Sequence, residues 1–341
     1  MAPIRVGIVN DLALATTVLE RIVASDSAMR VVWKAADGAE AIDLCRRERP
    51  DIVLMDLIMP NVDGVAATRR IMADTPCPIL IVTSTVSGNM DRVYDAMGAG
   101  ALDAVATPKG LGPEGEQDSR ALLRKIHNIH ALHGRRTPAP AATPGPRATA
   151  PNTPIIAIGA STGGPAAIET ILGALPPDLP AAIIIVQHID ADFVAGFVRW
   201  LAGRTRLAVR LAVEDEFPLA GTVLVADSRA HLSLGATGRL RYVDVPGALY
   251  QPSVDVFFHA LARYGPRAST GVLLTGLGRD GAAGLLALRE AGYETIAQDR
   301  ETAVVFGMPG AAVALGAAKQ IRPIGRIADQ LLSLHPVRKP T

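Results

Sequence analysis

The chain has 341 residues, a length typical of about two domains, with 49% hydrophobic and 20% charged residues. This composition supports packed cores and excludes an intrinsically disordered protein. The 34 Lys and Arg residues nearly balance the 33 Asp and Glu residues, and the net charge of +1 argues against a protein that coats nucleic acid or an anionic membrane surface.

Signals for membrane insertion, secretion and crosslinking are absent from the sequence. The longest aliphatic run, residues 181–186, has six residues, whereas a membrane-spanning helix needs about 20. The N-terminal residues lack the charged, apolar and cleavage-site pattern that a signal peptide would show. Only Cys45 and Cys77 are cysteines, so no disulfide framework is implied. We therefore expect a cytoplasmic protein without membrane insertion.

Residues 1–133 alternate short aliphatic runs with longer amphipathic stretches, a pattern typical of parallel strands covered by helices. The predicted strands are residues 4–9, 31–34, 52–55, 79–82 and 101–105. The predicted helices are residues 12–25, 38–49, 65–73, 89–97 and 119–133. Five strand–helix units predict one doubly wound α/β domain of the flavodoxin-like kind.

A proline-rich segment separates this region from a second one. Residues 134–152 contain five prolines and no hydrophobic period, which predicts an extended interdomain linker. In residues 153–341 we predict strands at 155–159, 183–187, 207–211, 271–275 and 294–298, and helices at 165–175, 191–203, 254–264 and 281–291. Glycine punctuation over residues 221–243 indicates inserted β-hairpins, so the second domain is predicted to be doubly wound, parallel and Rossmann-like, with a hairpin insertion.

Acidic and hydroxyl side chains follow the strands of the first domain at their carboxyl ends. Asp11 follows the first strand, Asp56 the third and Thr83 the fourth, and such ends converge on one crevice of a parallel sheet. Two carboxylates, a carbonyl and waters can hold Mg²⁺, which would assist the attack of a carboxylate on phosphorus. Each acid alone would more often cap a helix or begin a turn, but together they favour a phosphoryl-transfer site.

Residues 1–130 thus resemble the receiver domain of two-component response regulators. The resemblance implies that Asp56 accepts a phosphoryl group from a histidine kinase of the chemotaxis type and that Thr83 senses it. It also implies a Mg²⁺ ion held by Asp11, Asp56 and the carbonyl of Ile58.

Three positions depart from the receiver pattern. Asn10 stands where a second acid is usual, and Ala104 stands where a switch aromatic is usual. Thr107 replaces the lysine that normally precedes a proline, and Lys109 follows that proline instead. We therefore expect weaker metal binding, and phosphorylation of Asp56 with altered kinetics.

A glycine-rich turn joins the first strand and helix of the second domain. Residues 159–163, with Ser161 at their centre, have the Gly-x-Ser-x-Gly spacing of a nucleophile elbow, and Pro165 suits the first turn of the helix. The free amides of such a helix N-terminus can bind an anion. A dinucleotide-binding loop fits less well because the Gly-x-Gly-x-x-Gly spacing is absent, and a plain turn is the other alternative.

His188 ends the next predicted strand and is a candidate general base for Ser161. Asp280 lies in a glycine-rich turn after a third strand, where its carboxylate would hold one tautomer of the imidazole. The alternative for Asp280 is an N-cap of the following helix, and both roles can coexist. We expect His231 and His259 to be structural. The order Ser, His, Asp differs from the Ser, Asp, His order of α/β-hydrolases.

Further strings, at residues 251–255, 275–281 and 297–309, complete a resemblance of residues 155–324 to the catalytic domain of chemotaxis protein-glutamate methylesterases. A receiver, a linker and an esterase domain in this order reproduce that family's architecture. The receiver is most similar to that of methylesterases in surface-sensing chemosensory systems.

This resemblance implies a Ser161–His188–Asp280 triad, with oxyanion donors at the amides of Thr162 and Leu277. It implies hydrolysis of glutamyl methyl esters on methyl-accepting chemoreceptors, deamidation of receptor glutamines as a second activity, and no cofactor for the esterase. The unphosphorylated receiver would cover the catalytic cleft. We expect a monomer that binds no nucleic acid, and the alternative is a response regulator that acts by docking, with a silent hydrolase domain.

Overall fold

The computed structural model describes residues 3–83, 90–108, 113–131, 153–246, 248 and 250–337. The chain divides into two compact units, Met1–Arg136 and Thr137–Thr341. The predicted linker and Lys109 lie outside the described residues, and the predicted domain boundaries stay predictions. Within the described ranges, no helix combines the length and the apolar character needed to cross a membrane.

The N-terminal unit is built on a five-stranded sheet with the strand order β2-β1-β3-β4-β5, and every neighbouring pair is parallel. The strands are β1 (Ile4–Val9), β2 (Met29–Ala35), β3 (Ile52–Met55), β4 (Ile79–Thr83) and β5 (Asp103–Ala106). The helices are α1 (Ala13–Ala24), α2 (Gly38–Arg47), α3 (Gly64–Asp74), α4 (Met90–Gly98) and α5 (Pro113–Ala131). This order confirms the predicted flavodoxin-like sheet.

Local sequence signals explain where these helices begin. Asp37 and Asp63 are the N-caps of α2 and α3, and each carboxylate accepts a hydrogen bond from the amide three residues later. Every residue of β3 is buried, which matches its continuous apolar run. Helix α5 begins at Pro113, six residues before the predicted start at residue 119, because its first turns are too polar to show a hydrophobic period.

The C-terminal unit contains a seven-stranded parallel sheet with the order β14-β13-β12-β6-β7-β9-β8. Its strands are β6 (Ile155–Ala160), β7 (Ala182–Gln187), β8 (Ala208–Leu211), β9 (Thr222–Val225), β12 (Thr270–Leu273), β13 (Glu294–Gln298) and β14 (Gln320–Arg322). Its helices are α6 (Gly164–Ala174), α7 (Ala191–Ala202), α8 (Val254–Tyr264), α9 (Ala282–Glu290), α10 (Met308–Ala314) and α11 (Ile324–Leu334). The predicted doubly wound parallel sheet is therefore confirmed.

The region 221–243 contains the predicted hairpin, but its first strand lies outside it. One hairpin forms, from β10 (His231–Leu234) and β11 (Leu240–Val243). Strand β9 instead lies inside the main sheet and pairs in parallel with β7 and β8. Its residues Val223, Leu224 and Val225 are fully buried, so the strand requires cover on both faces that an exposed hairpin does not provide.

A close approach between β6 and α8 positions the start of that helix at the carboxyl end of the sheet. A Cβ atom on Gly159 would lie 2.2 Å from Cγ1 of Val254, so only glycine permits this packing. Phe257 and Phe258, one turn further along α8, are fully buried in the core. The first turn of α8 is thereby held beside the turn that follows β6.

Candidate active site

Ser161 lies on a tight turn between β6 and α6. Its amide donates to the carbonyl of Thr275 at 3.1 Å, and its carbonyl accepts from the amide of Gly164 at 2.7 Å. Gly163 has a left-handed φ of 76°, which a residue with a side chain adopts only at a cost. Pro165 lies in the first turn of α6. The structure therefore places Ser161 on the strand–turn–helix geometry that its spacing predicts.

His188 follows β7 and lies beside the same turn, since its amide donates to the carbonyl of Ala160 at 3.0 Å. Its Nε2 atom is 2.7 Å from Oδ2 of Asp280, and the two side chains are only 12% and 5% exposed. The carboxylate thus engages Nε2, which leaves Nδ1 as the ring nitrogen for a proton taken from a serine. The structure brings His188 and Asp280 into direct contact, with Ser161 at the end of the neighbouring strand.

The carboxylate of Asp280 is also bound by the first turn of α8. Oδ1 accepts from the hydroxyl of Ser253 at 2.9 Å and from the amide of Asp255 at 3.1 Å, and Oδ2 accepts from the amide of Val254 at 2.7 Å. A helix N-terminus favours such an anion. The N-cap of α9 is Gly281, without a side-chain cap, so the alternative role of Asp280, as the cap of the following helix, does not hold. Its carboxylate instead accepts hydrogen bonds from the first turn of α8, a helix distant in sequence.

Two neighbouring carboxyl groups have opposite pKa shifts at this site. Burial opposes ionisation of Asp280, but the hydrogen bond and charge of His188, with the α8 amides, outweigh it and hold the pKa below its ordinary value. Burial and the negative charge of Asp280 raise the pKa of Asp255 to about 7. The amide of Gly284, 2.7 Å away, opposes that rise. Asp280 is therefore the anion of the pair, and Asp255 takes up a proton near neutral pH.

The turn after β12 lies directly against the serine. A Cβ atom on Gly276 would lie 2.8 Å from Cβ of Ser161 and 2.2 Å from Sδ of Met308, so only glycine allows this approach. The next residue is Leu277. Among the hydrogen bonds of the described residues, the amides of Thr162 and Leu277 have no acceptor. One free amide directly after the serine and one directly after the glycine packed on it fit the predicted oxyanion donors.

Two buried polar residues, whose roles the sequence did not indicate, link the turns that follow β6, β7 and β12. Thr275 donates from Oγ1 to the carbonyl of Thr162 at 2.9 Å. Gln187 donates from Nε2 to the carbonyls of Ser161 and His188, at 2.9 and 3.0 Å. Each lies at or just beyond the carboxyl end of an otherwise apolar strand, which is the signal that could have identified it.

Among the described residues, the two histidines predicted to be structural lie outside the His188–Asp280 contact. His231 is buried, and its Nδ1 atom accepts from the amide of Ser253 at 3.2 Å, so it supports the α8 cap. Burial lowers the pKa of His259, which keeps that ring neutral at physiological pH. Tyr250 is a further residue that sequence reasoning missed: its ring stacks on His188 with centroids 4.8 Å apart. No periodic pattern marks that segment.

In the N-terminal unit, Asp56 directly follows β3 and is almost completely buried. Its Oδ1 accepts from the amide of Leu57 at 2.7 Å, and its Oδ2 accepts from Nδ2 of Asn10 at 3.0 Å. The Oδ1 atom of Asn10 accepts from the amide of Leu12 at 2.9 Å, which fixes the direction of the side chain. Asn10 therefore contributes a hydrogen-bond donor to Asp56 where receivers usually have an acid.

Asp11 and Ile58, two further predicted receiver residues, both act on the carboxylate of Asp56. Burial, and to a lesser extent the charge of Asp11, raise the pKa of Asp56, while the amides of Leu57 and Ile58 oppose the shift. Thr83 ends β4 and is buried. No cluster of three acidic, His or Cys ligands occurs among the described residues. Two interacting carboxylates still fit Mg²⁺, which retains several waters in its octahedral shell and would relieve their repulsion.

Comparisons with known proteins match both units. The family model for the CheB methylesterase matches residues 156–331, and the model for the response regulator receiver domain matches residues 6–111. A protein-glutamate methylesterase/protein-glutamine glutaminase of Burkholderia thailandensis is 53% identical over 334 residues, covering 96% of this chain and 97% of the relative. One from Pseudomonas fluorescens is 50% identical over 337 residues, covering 97% and 99%. The crystal structure of the Thermotoga maritima CheB methylesterase catalytic domain is 34% identical, with a TM-score of 0.50, covering 53% of this chain and 98% of that domain.

Proposed function

Because the chain belongs to the CheB methylesterase family and carries a response regulator receiver domain, we propose that it hydrolyses glutamyl methyl esters on methyl-accepting chemoreceptors under the control of Asp56 phosphorylation. The observation that carries the proposal is the 2.7 Å contact of His188 with Asp280 beside the Ser161 turn. Deamidation of receptor glutamines by the same residues is the second activity.

The proposed reaction begins with attack of Ser161 Oγ on the ester carbonyl. Nδ1 of His188 takes the hydroxyl proton, and Asp280 stabilises the resulting imidazolium through Nε2. The amides of Thr162 and Leu277 donate to the oxyanion. His188 then protonates the departing methoxide, and methanol leaves an acyl-enzyme.

Water completes the reaction by the reverse sequence of proton transfers. His188 deprotonates the water as it attacks the acyl carbonyl, and Ser161 leaves as its hydroxyl. The products are a receptor glutamate and free enzyme. With a glutamine substrate the first leaving group is ammonia instead of methanol. No step requires a cofactor, because protein side chains carry every proton and backbone amides stabilise the charge.

In the receiver, Asp56 is proposed to accept a phosphoryl group from a chemotaxis-type histidine kinase. Asp11, Asp56 and the carbonyl of Ile58 would hold Mg²⁺, which when bound neutralises charge on the incoming group. The hydroxyl of Thr83 would then bind a phosphoryl oxygen. Phosphorylation is proposed to relieve inhibition of the esterase by the receiver. A surface-sensing pathway, a cytoplasmic location and a monomeric state stay predictions.

Methanol release from a methylated chemoreceptor tests the esterase. We expect the full chain to release methanol and Ser161→Ala to release almost none, while Ser333→Ala, an exposed serine of α11, matches the wild type. Equal activity in Ser161→Ala would exclude the mechanism. Absence of methanol from all variants on every receptor tested would favour the alternative, a response regulator that acts by docking alone.

A small phosphodonor with Mg²⁺ tests the regulation. We expect it to add a phosphoryl group to Asp56 and to increase methanol release by the wild type. Asp56→Asn should not respond, whereas Asp43→Asn, an exposed acid of α2, should respond normally. A phosphodonor response that persists in Asp56→Asn would contradict this assignment.

A further inference from the structure

The aromatic ring of Tyr250 covers one face of the His188 imidazole. The ring centroids are 4.8 Å apart and the planes differ by 4°. Parallel rings at this separation form an attractive stacked contact. Asp280 holds the same imidazole only at its edge, through Nε2. One hydrogen bond at an edge leaves the ring free to tilt about that contact, so the flat contact with Tyr250 supplies the missing constraint.

The position of Tyr250 is itself fixed at both ends. It immediately precedes residues 251–253, and Ser253 is the N-cap of α8 and donates to Asp280. At the other end, the edge of the ring lies over Gly278, where a Cβ atom would be 3.2 Å from Cζ of the ring and 2.3 Å from Oη. Gly278 follows Leu277, the predicted oxyanion donor. The ring therefore extends from the α8 cap, across the imidazole, to the turn beside the serine.

The hydroxyl of Tyr250 has no hydrogen-bond partner among the described residues, so the ring is the part of this side chain that makes the defined contacts. The ring is half-buried, and burial together with the negative charge of Asp280 raises the pKa of Tyr250. The phenol is consequently neutral throughout the physiological range. A neutral π face beside the imidazole favours the cationic form that arises when Ser161 loses its proton.

We propose that Tyr250 is a positioning residue for the general base: its ring holds the plane of His188 so that Nδ1 stays directed at the reacting serine. The role belongs to the ring and does not need the hydroxyl. This inference rests on the proposed esterase function. A misplacement of the base by a fraction of the ring width would slow proton transfer without changing how the receptor binds.

Substitutions that separate the ring from the hydroxyl test the proposal in methanol-release assays of the full chain. Tyr250→Phe keeps the stacking ring and should retain kcat within about twofold. Tyr250→Leu removes it and should lower kcat roughly 10- to 100-fold, as small displacements of catalytic groups do, with KM nearly unchanged. Tyr264→Leu, at the far end of α8, is the matched control and should leave both constants unchanged. Thermal unfolding midpoints show which variants fold.

Proton NMR of the histidine rings gives a readout that does not depend on turnover. Of the seven histidines, the one whose signal disappears in His188→Gln should be shifted upfield by the ring current of Tyr250. That shift should persist in Tyr250→Phe and be lost in Tyr250→Leu. A Phe variant as impaired in kcat as the Leu variant, or a folded Leu variant with wild-type kcat, would overturn the proposal. Absence of methanol from the wild type would instead count against the esterase function.

Discussion

Nε2 of His188 lies 2.7 Å from Oδ2 of Asp280, and the same carboxylate accepts hydrogen bonds from the first turn of α8. The imidazole is thus oriented by an anion that a helix N-terminus stabilises. Because Nε2 is occupied, the proposed mechanism assigns the proton exchange with Ser161 to Nδ1. This arrangement links His188, the proposed base, to a helix that begins far from either residue in sequence.

Replacing Asp280 by Asn should lower kcat on the order of 10³-fold or more, because the neutral amide no longer stabilises the imidazolium or selects its tautomer. Methanol release under saturating receptor measures the effect. Asp178→Asn, an exposed acid before β7, is the control and should retain wild-type kcat. A folded Asp280→Asn variant within a few-fold of the wild type would show that the contact does not support catalysis.

The raised pKa of Asp255 makes stability depend on pH. Its pKa is about 7 in the folded chain and about 3.9 when unfolded, so the folded state binds the extra proton between these values. This contribution is fully present below about pH 4 and is lost as the pH rises through about 7. Asp255→Asn keeps a neutral side chain throughout, so it should become more stable than the wild type as the pH rises.

Denaturant unfolding between pH 4 and pH 8 measures this difference. In a Trp33→Phe background, the fluorescence of buried Trp200 reports on the C-terminal unit alone. The free energy of unfolding of Asp255→Asn relative to the wild type should rise by more than about 1 kcal/mol over this range, since one pKa unit corresponds to about 1.4 kcal/mol. A difference that does not change with pH would be inconsistent with the raised pKa.

Gly276→Ala tests the close packing behind Ser161, the proposed nucleophile. A methyl group there would overlap Sδ of Met308 and Cβ of Ser161, so Gly276→Ala should displace the serine and lower kcat by about 100-fold or more. Gly325→Ala in α11, where a Cβ atom meets nothing within 4 Å, should retain full activity. If Gly276→Ala folds and remains fully active, the turn is not constrained as described.

Asn10→Asp tests the altered receiver site. The change replaces the amide donor to Asp56 with a third carboxylate near Asp11. In the absence of Mg²⁺, repulsion among the three carboxylates should destabilise the N-terminal unit. The same three carboxylates should bind Mg²⁺ more tightly than the wild-type site does. Scanning calorimetry should show a larger Mg²⁺-dependent rise of the N-terminal transition in Asn10→Asp than in the wild type. The controls are scans of both proteins with a chelator, and scans with NaCl at the ionic strength of the Mg²⁺ buffer. Equal rises in the two proteins would contradict this account of Asn10.

Much of the fold and part of the site could be predicted from local patterns. Short apolar runs bounded by turn residues identify buried parallel strands, and the ends of those strands located Asp56, Ser161 and His188. The alternation and glycine punctuation of residues 221–243 predict hairpins, but β9 does not belong to one. Its parallel pairing depends on helices that cover the sheet. The local sequence pattern contains no information about that cover.

Non-local contacts account for the remaining differences. The carboxylate of Asp280 precedes α9 in sequence but binds the first turn of α8, and only the packing of Val254 against Gly159 brings that turn within reach. Tyr250 lies in an aperiodic segment, and its contact with His188 exists only in the folded sheet. Such contacts join residues far apart in the chain, so spacing rules cannot predict them.

The most direct test of the central claim is to trap the covalent intermediate. The full chain would be mixed with a methylated receptor peptide, quenched in acid within the first turnover, digested and analysed by mass spectrometry. We expect the peptide containing Ser161 to carry the receptor peptide, joined through its glutamyl acyl group, and we expect this adduct to be absent in Ser161→Ala. An adduct on any other residue, or ester hydrolysis by Ser161→Ala at the wild-type rate, would contradict it.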